Sequence, residues 1–226
     1  MIGLIGAMDV EVSTLIEKLE KKEEIKILNY TFYKGFFGHN EVVILKCGVG
    51  KVQSAIGATI LIEHFEPEFI LNTGVAGGTN GLVQYDVVIA ESIKYSDVDA
   101  TGFGYKLGQV PGMPEEYKTN QIILEKIKNK MDELKIKYTI GNILSGDSFI
   151  LRVSQLLIKP IGPTAVEMEG ASIAQACYLL NTPFVSIRFI SDVVGGSSQS
   201  DDYMSFEKKA SLLSAEISYQ IIKNYK

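Results

Sequence analysis

The chain has 226 residues, 46% of them hydrophobic and 22% charged, with a formal net charge of −5. That length can bury a substantial core, and the acidic balance excludes the clustered basic face that a nucleic-acid binder needs. Two cysteines, Cys47 and Cys177, form no disulfide framework and have no metal-type spacing, so each reads as a buried, reduced thiol.

The opening run Met1-Ile2-Gly3-Leu4-Ile5-Gly6 has no basic region ahead of it and meets Asp9 and Glu11 too early for a signal peptide. No apolar stretch approaches the roughly 18 residues of a membrane span, so a cytoplasmic location with no membrane partner is expected. Ile2 to Ala7 predicts a buried strand. Asp9 to Leu19 predicts a helix with Val12, Leu15, Ile16 and Leu19 on one face. Lysines at Lys18 to Lys26 and Lys126 to Lys137, mixed with acidic residues, read as solvated helix faces. Thr31 to Phe37 and Glu41 to Lys46 predict a hairpin around Gly38-His39-Asn40. Gly48-Val49-Gly50 breaks the chain before a helix over Lys51 to Phe65.

Phe69-Ile70-Leu71 predicts a strand ending in the glycine-rich turn Asn72-Thr73-Gly74-Val75-Ala76-Gly77-Gly78. Val87 to Ala90 begins a strand that can run to Tyr95, and Asp97 to Pro114 is an ordered loop. Helical spacing of Ile123, Ile127, Met131 and Leu134 predicts a helix over Thr119 to Leu134. Tyr138 to Leu144 is a strand leading into Ser145-Gly146-Asp147-Ser148. Gly170 to Leu180 is a buried helix, Pro183 to Ile190 a buried strand, and Asp202 to Tyr225 a closing amphipathic helix.

No repeat, linker or composition shift interrupts this alternation. It predicts one α/β domain over residues 1–226, with three layers and a central mixed, mostly parallel sheet between helices. In such sheets ligands bind beyond the carboxyl ends of strands. That rule selects segments 6–11, 47–50, 73–78, 145–150, 166–169 and 190–194.

These segments also hold the carboxylates that need explaining. Glu167-Met168-Glu169 sits in sequence that otherwise wants burial, where an unpartnered carboxylate costs several kcal/mol. Glu169 reads as a group that grips a polar ligand, and Glu167 is left without an assigned role. Glu11, one turn into the first helix, either complements the helix dipole or accepts a proton from water at the strand-to-helix mouth. Phe149 is either core or a ligand stack. Arg188 either pairs with an acid or shares with Asp192 a strand face aimed into the pocket, since residues four apart on a strand lie on one side. The histidines, His39 and His64, fall in a turn and near a helix end. The three carboxylates Glu11, Glu169 and Asp192 therefore point to acid–base chemistry without a metal.

In order along nearly the whole chain, several segments carry a resemblance. They are Ile5 to Glu11, Gly48 to Val52, Asn72 to Gly78, Asp97 to Tyr105, Ser145 to Ile150, Val166 to Gly170, Arg188 to Asp192 and Met204 to Glu207. The chain resembles the bacterial 5′-methylthioadenosine/S-adenosylhomocysteine nucleosidases, of the purine nucleoside phosphorylase-like superfamily. The resemblance implies a homodimer of nucleoside phosphorylase/hydrolase-like fold that hydrolyses the N-glycosidic bond of adenine thioribosides without a cofactor. It implies that Asp192 protonates adenine N7 and contacts the 6-amino group, while Glu11 activates water. Met168 and Glu169 would contact ribose, Phe149 would stack on adenine, and the Ile150 backbone would read its edge. Met8, Val49 and Phe206 would line the sugar and alkylthio side, with Val75 in the glycine turn and Arg188 beside the acid. Phe103 and Tyr105 would reach in from the partner subunit.

Three features depart from the family pattern: Val75 stands where many members have serine, Ser96 where histidine is frequent, and the stretch 194–200 is longer. Two other readings remain. A purine nucleoside phosphorylase would share the fold and ribose grip but would need cationic donors for phosphate where Glu11 lies. A nucleoside-binding protein without turnover would need no water-activating base.

Overall fold

The structure is a computed structural model; it describes residues 1–196 and 199–225, and only the backbone of residues 200–202. Ser197 and Ser198 of the glycine–serine stretch lie outside the described residues. The strands are β1 (Ile2–Gly6), β2 (Glu20–Ile27), β3 (Tyr30–Phe37), β4 (Asn40–Lys46), β5 (Ile70–Thr79), β6 (Val87–Tyr95), β7 (Tyr117–Lys118), β8 (Thr139–Ser145), β9 (Thr164–Glu167) and β10 (Phe184–Val193). The helices are α1 (Asp9–Glu17), α2 (Lys51–Phe65), α3 (Gln121–Glu133), α4 (Gly170–Leu179) and α5 (Gln199–Lys223).

All ten strands join one sheet in the order β10-β6-β8-β9-β5-β1-β4-β3-β2, with β7 on β6. Strand β10 also pairs with β5, so β5, β9, β8, β6 and β10 close into a ring. Strands β1, β4, β5 and β10 run parallel to one another, and so do β6, β8 and β9. The two sets run antiparallel where β5 meets β9 and β10 meets β6. Parallel and antiparallel pairings are thus balanced, five of each among the described residues.

Two apolar cores flank the sheet, giving the expected three layers. One packs Ala58, Leu61 and Ile62 of α2 and Ile173, Ala174 and Cys177 of α4 against Ile5, Val43, Leu45 and Ile190. The other packs Val12 and Leu15 of α1, Ile123, Ile127 and Met131 of α3, and Ala215, Ile217 and Ile221 of α5 against Leu4, Leu71, Ile187 and Phe189. Both cysteines are buried and reduced. Among the described residues, no helix is long and apolar enough to cross a membrane.

The segment Lys18 to Lys26 is not a helix face. Most of it forms β2, the outer strand of the sheet, whose burial pattern is almost wholly exposed. With solvent on both sides, the strand carries no hydrophobic alternation, and its charges discourage pairing with another chain's edge. Helix α3 accounts for much of the second lysine cluster, which ends beyond Glu133.

The glycine-rich segment after Leu71 is likewise not a turn. Strand β5 continues through it to Thr79, paired with β10 as far as Gly78 and with β9 from Gly77 to Thr79. Glycine within a strand marks a close approach of neighbouring groups. At Gly74 an added methyl would overlap Glu11 Oε1 and approach Arg188 Nη1.

Candidate active site

All six segments selected by strand ends contribute to one cleft. Its walls include Met8 and Glu11 after β1, Val49 after β4, Val75 to Gly77 in β5, and Ser148 to Ile150 after β8. Val166 to Glu169 and Ser191, Asp192 and Val194 complete that set. Because β8 and β9 run against β5, closure of the strand ring rather than one common edge brings these ends together.

Four buried carboxylates line the cleft, and three of them, Glu11, Glu169 and Asp192, differ most in setting. Glu11, 2% exposed, accepts from the backbone N–H groups of Ala7 at 2.7 Å, Met8 at 3.0 Å and Val75 at 2.9 Å. The Met8 bond caps α1, so Glu11 serves the helix end while it also lines the cleft. Burial raises its pKa, and the nearby Arg188 charge and the three N–H donors oppose that rise.

Glu169, 6% exposed, accepts from Gly50 N–H at 2.9 Å through Oε1. Gly50 has φ of 93°, which glycine adopts at little cost, and it sits at the amino end of α2, where the helix dipole favours a negative charge. Ser54 and Ser172 hydroxyls lie 2.7 Å apart and tie the amino ends of α2 and α4 together. Burial raises the Glu169 pKa, as does the neighbouring Glu167, while Arg188 and Gly50 oppose the rise.

Asp192, 1% exposed, accepts from Ser191 Oγ at 2.7 Å and from Gln199 Nε2 at 2.7 Å. It does not share a face with Arg188. Pairing of β10 with β5 slips between Ile190, opposite Ala76, and Asp192, opposite Gly77. One extra residue in a strand reverses the alternation beyond it. Arg188 therefore stays beside Gly74, while Asp192 turns toward the amino end of α5.

Arg188 lies under the cleft rather than in its wall. Its Nη2 contacts Glu167 Oε2 at 2.5 Å and also donates to Asn72 Oδ1. Glu167 in turn accepts from Ser145 Oγ, from Glu169 N–H at 3.1 Å and from Gly170 N–H at 2.8 Å. The carboxylate with no assigned role is thus the saturated partner of a buried cation and the anchor for the first turn of α4.

Of the other expected site residues, Met8, Val49, Val75, Phe149, Ile150 and Met168 line the cleft. Phe206 does not; it packs edge-to-face on Tyr85, with ring centroids 5.9 Å apart. Tyr203, almost one turn earlier on α5, faces the cleft instead, its ring 5.2 Å from Phe149 and its hydroxyl 3.8 Å from Met8 Sδ. Burial pushes the Tyr203 hydroxyl up to about 12, so it remains a neutral donor. Phe103 and Tyr105 are also absent from this cleft, with Phe103 87% exposed in a short 3₁₀ turn.

Gln199 and Tyr203 went unread in the sequence. Their one-turn separation puts them on the same side of α5, but only the position of that helix over the sheet points that side at Asp192.

A family model described as the phosphorylase superfamily matches residues 1–223. A 5′-methylthioadenosine/S-adenosylhomocysteine nucleosidase from Staphylococcus aureus strain MRSA252 is 43% identical over 223 residues, covering 96% of each chain. The chain belongs to this nucleosidase family. A solved nucleosidase from Neisseria meningitidis, in complex with methylthio-immucillin-A, superposes with a TM-score of 0.91 at 33% identity, covering 98% of each chain. One from Streptococcus pyogenes, in complex with 5-methylthiotubericidin, gives 0.90 at 36% identity, covering 99% of this chain and 96% of its own. The mixed sheet and its flanking helices are the fold of these nucleosidases.

Two predictions follow from the buried carboxylates. Glu167→Gln leaves Arg188 without its compensating charge and is expected to lower unfolding free energy by about 3–5 kcal/mol in urea titration; a loss below about 1 kcal/mol would contradict this pairing. Glu169 holds a proton in the folded chain over a pH range where the unfolded chain has released it. Its contribution is therefore complete below its ordinary value of 4.5 and is lost as pH rises through the raised folded value. Glu169→Gln, which cannot ionise, should gain stability relative to the parent as pH rises from about 4.5 to about 8. Parallel pH profiles would remove the assignment.

Proposed function

We propose that the chain hydrolyses the N-glycosidic bond of 5′-methylthioadenosine and S-adenosylhomocysteine, releasing adenine and the thioribose. The observation that carries this reading is Glu11, a buried carboxylate fixed by three backbone N–H groups where a phosphorylase would need to attract phosphate. A negative charge there repels an anion and suits water. The relatives described above carry the same activity in their names.

In the reaction, the C1′–N9 bond breaks and its electron pair moves into the purine as Asp192 gives a proton to N7. Water forms the new bond to C1′ and yields its proton to Glu11. The ribosyl group passes through an oxocarbenium-like state, which the negative charge of Glu11 stabilises on the sugar side. Glu169 accepts hydrogen bonds from the ribose hydroxyls, Met168 packs against the sugar, and Phe149 lies over the base. Met8, Val49 and Tyr203 form the apolar side that receives the alkylthio group. No cofactor enters these steps.

We further propose a homodimer in which Phe103 and Tyr105 of one copy close the neighbouring cleft. Support comes from the exposure of Phe103 and of Val52, 69% exposed on α2, with Ile56 on the same helix and Tyr178 and Leu179 on α4. Exposed apolar residues grouped in this way mark an association surface. Sedimentation at the mass of a single chain would remove this part of the reading.

Adenine release from 5′-methylthioadenosine should proceed in phosphate-free buffer. Asp192→Asn should still bind adenine yet lose turnover by about 10²–10⁴-fold, the usual worth of a general acid, and Glu11→Gln should lose turnover comparably. Full activity in Asp192→Asn, or release that requires added phosphate, would overturn the assignment.

A further inference from the structure

Gln199, the first residue of α5, makes three hydrogen bonds inside the cleft. Its Nε2 donates to Asp192 Oδ2 at 2.7 Å and to the carbonyl of Ile150 at 2.8 Å. Its Oε1 accepts from Gly195 N–H at 3.0 Å, which fixes which end of the carboxamide is the nitrogen. The side chain is 4% exposed, although it lines an otherwise accessible cleft. Two acceptors, one carboxylate and one carbonyl, thus converge on a single –NH₂ group. A single –NH₂ group satisfies both lone pairs at once, so the position suits a donor such as an exocyclic amine.

We propose that Gln199 is an internal stand-in for the exocyclic amino group of an aminopurine. Its carboxamide nitrogen fills the amino-group subsite between Asp192 and Ile150 in the unliganded chain, and an incoming base displaces it. This rests on the reading of the site as one for adenine nucleosides. It adds a residue that competes with substrate for the same two acceptors. Two consequences follow. Asp192 Oδ2 and the Ile150 carbonyl both have a donor while the cleft is empty. Base binding also carries the cost of releasing the Gln199 amide, so the residue weakens apparent affinity for adenine.

A crystal structure of the wild-type protein with adenine is the direct test. The proposal expects Gln199 Nε2 to have left both acceptors and the adenine amino group to take its place. Gln199 still bonded to Asp192 and Ile150 beside bound adenine overturns it. Kinetics of Gln199→Met, of similar length with no donor, and of Gln199→Ala supply a second test. Both should lower the KM for 5′-methylthioadenosine by roughly two- to tenfold, the equivalent of one net hydrogen bond of about 0.5–1.5 kcal/mol, and should tighten adenine binding in calorimetry to a similar degree. Turnover lost at unchanged KM, or weaker adenine binding in both variants, makes Gln199 a positioning clamp for Asp192 and overturns the proposal. Wild-type turnover of 5′-methylthioadenosine decides the adenine-nucleoside reading separately, because it depends on neither variant.

Discussion

The contact between Arg188 and Glu167 holds the floor of the cleft, and most of the site is arranged around it. Removing one member of a buried ion pair strands the other, which makes the pair a strict constraint on its surroundings. Glu167 satisfies that constraint by collecting Ser145 from β8 and the first backbone N–H groups of α4. Arg188 collects Asn72 from β5 and lies close to Glu11 across Gly74. Four strands and two helices therefore meet at a fixed charge pattern before any ligand enters.

Above that floor, Glu11, Glu169 and Asp192 differ in what holds them, and the difference matches their proposed roles. Backbone N–H groups fix Glu11, so its geometry does not depend on a rotatable side chain. Glu169 rests against the amino end of α2 and has raised proton affinity from burial. Among the described residues, Asp192 accepts from the side chains of Ser191 and Gln199. Distinct settings for neighbouring acids are how one site separates base, ligand grip and proton donor. The slip in strand pairing before Asp192 is what permits this, since an unbroken β10 would have put the aspartate on the same face as Arg188.

Much of this was legible in the residues. Helix α2 runs over Lys51–Phe65 as read, because Gly50 at φ 93° caps its amino end and the apolar run is long. The six segments follow from the carboxyl ends of the expected strands, where the glycines and unexplained acids also fall, and all of them reach the cleft. What stayed hidden was set by tertiary context. Strand β2 has no hydrophobic pattern because both its faces are wet. The glycines of β5 look like a turn locally, yet they serve a strand pressed on both sides. A pairing slip cannot be counted from one strand alone, so Arg188 and Asp192 seemed to share a face. Glu167 could not be distinguished from Glu169 without Arg188 beneath it, and Tyr203 could not be preferred to Phe206 without the tilt of α5.

The central claim is that water, placed by Glu11, attacks the sugar. Turnover of 5′-methylthioadenosine in ¹⁸O-enriched water, followed by mass spectrometry of the sugar product, tests it most directly. The account predicts one ¹⁸O atom bonded to C1 of the released methylthioribose, in buffer free of phosphate. A product that carries phosphate at C1, or no sugar release until phosphate is supplied, would contradict it.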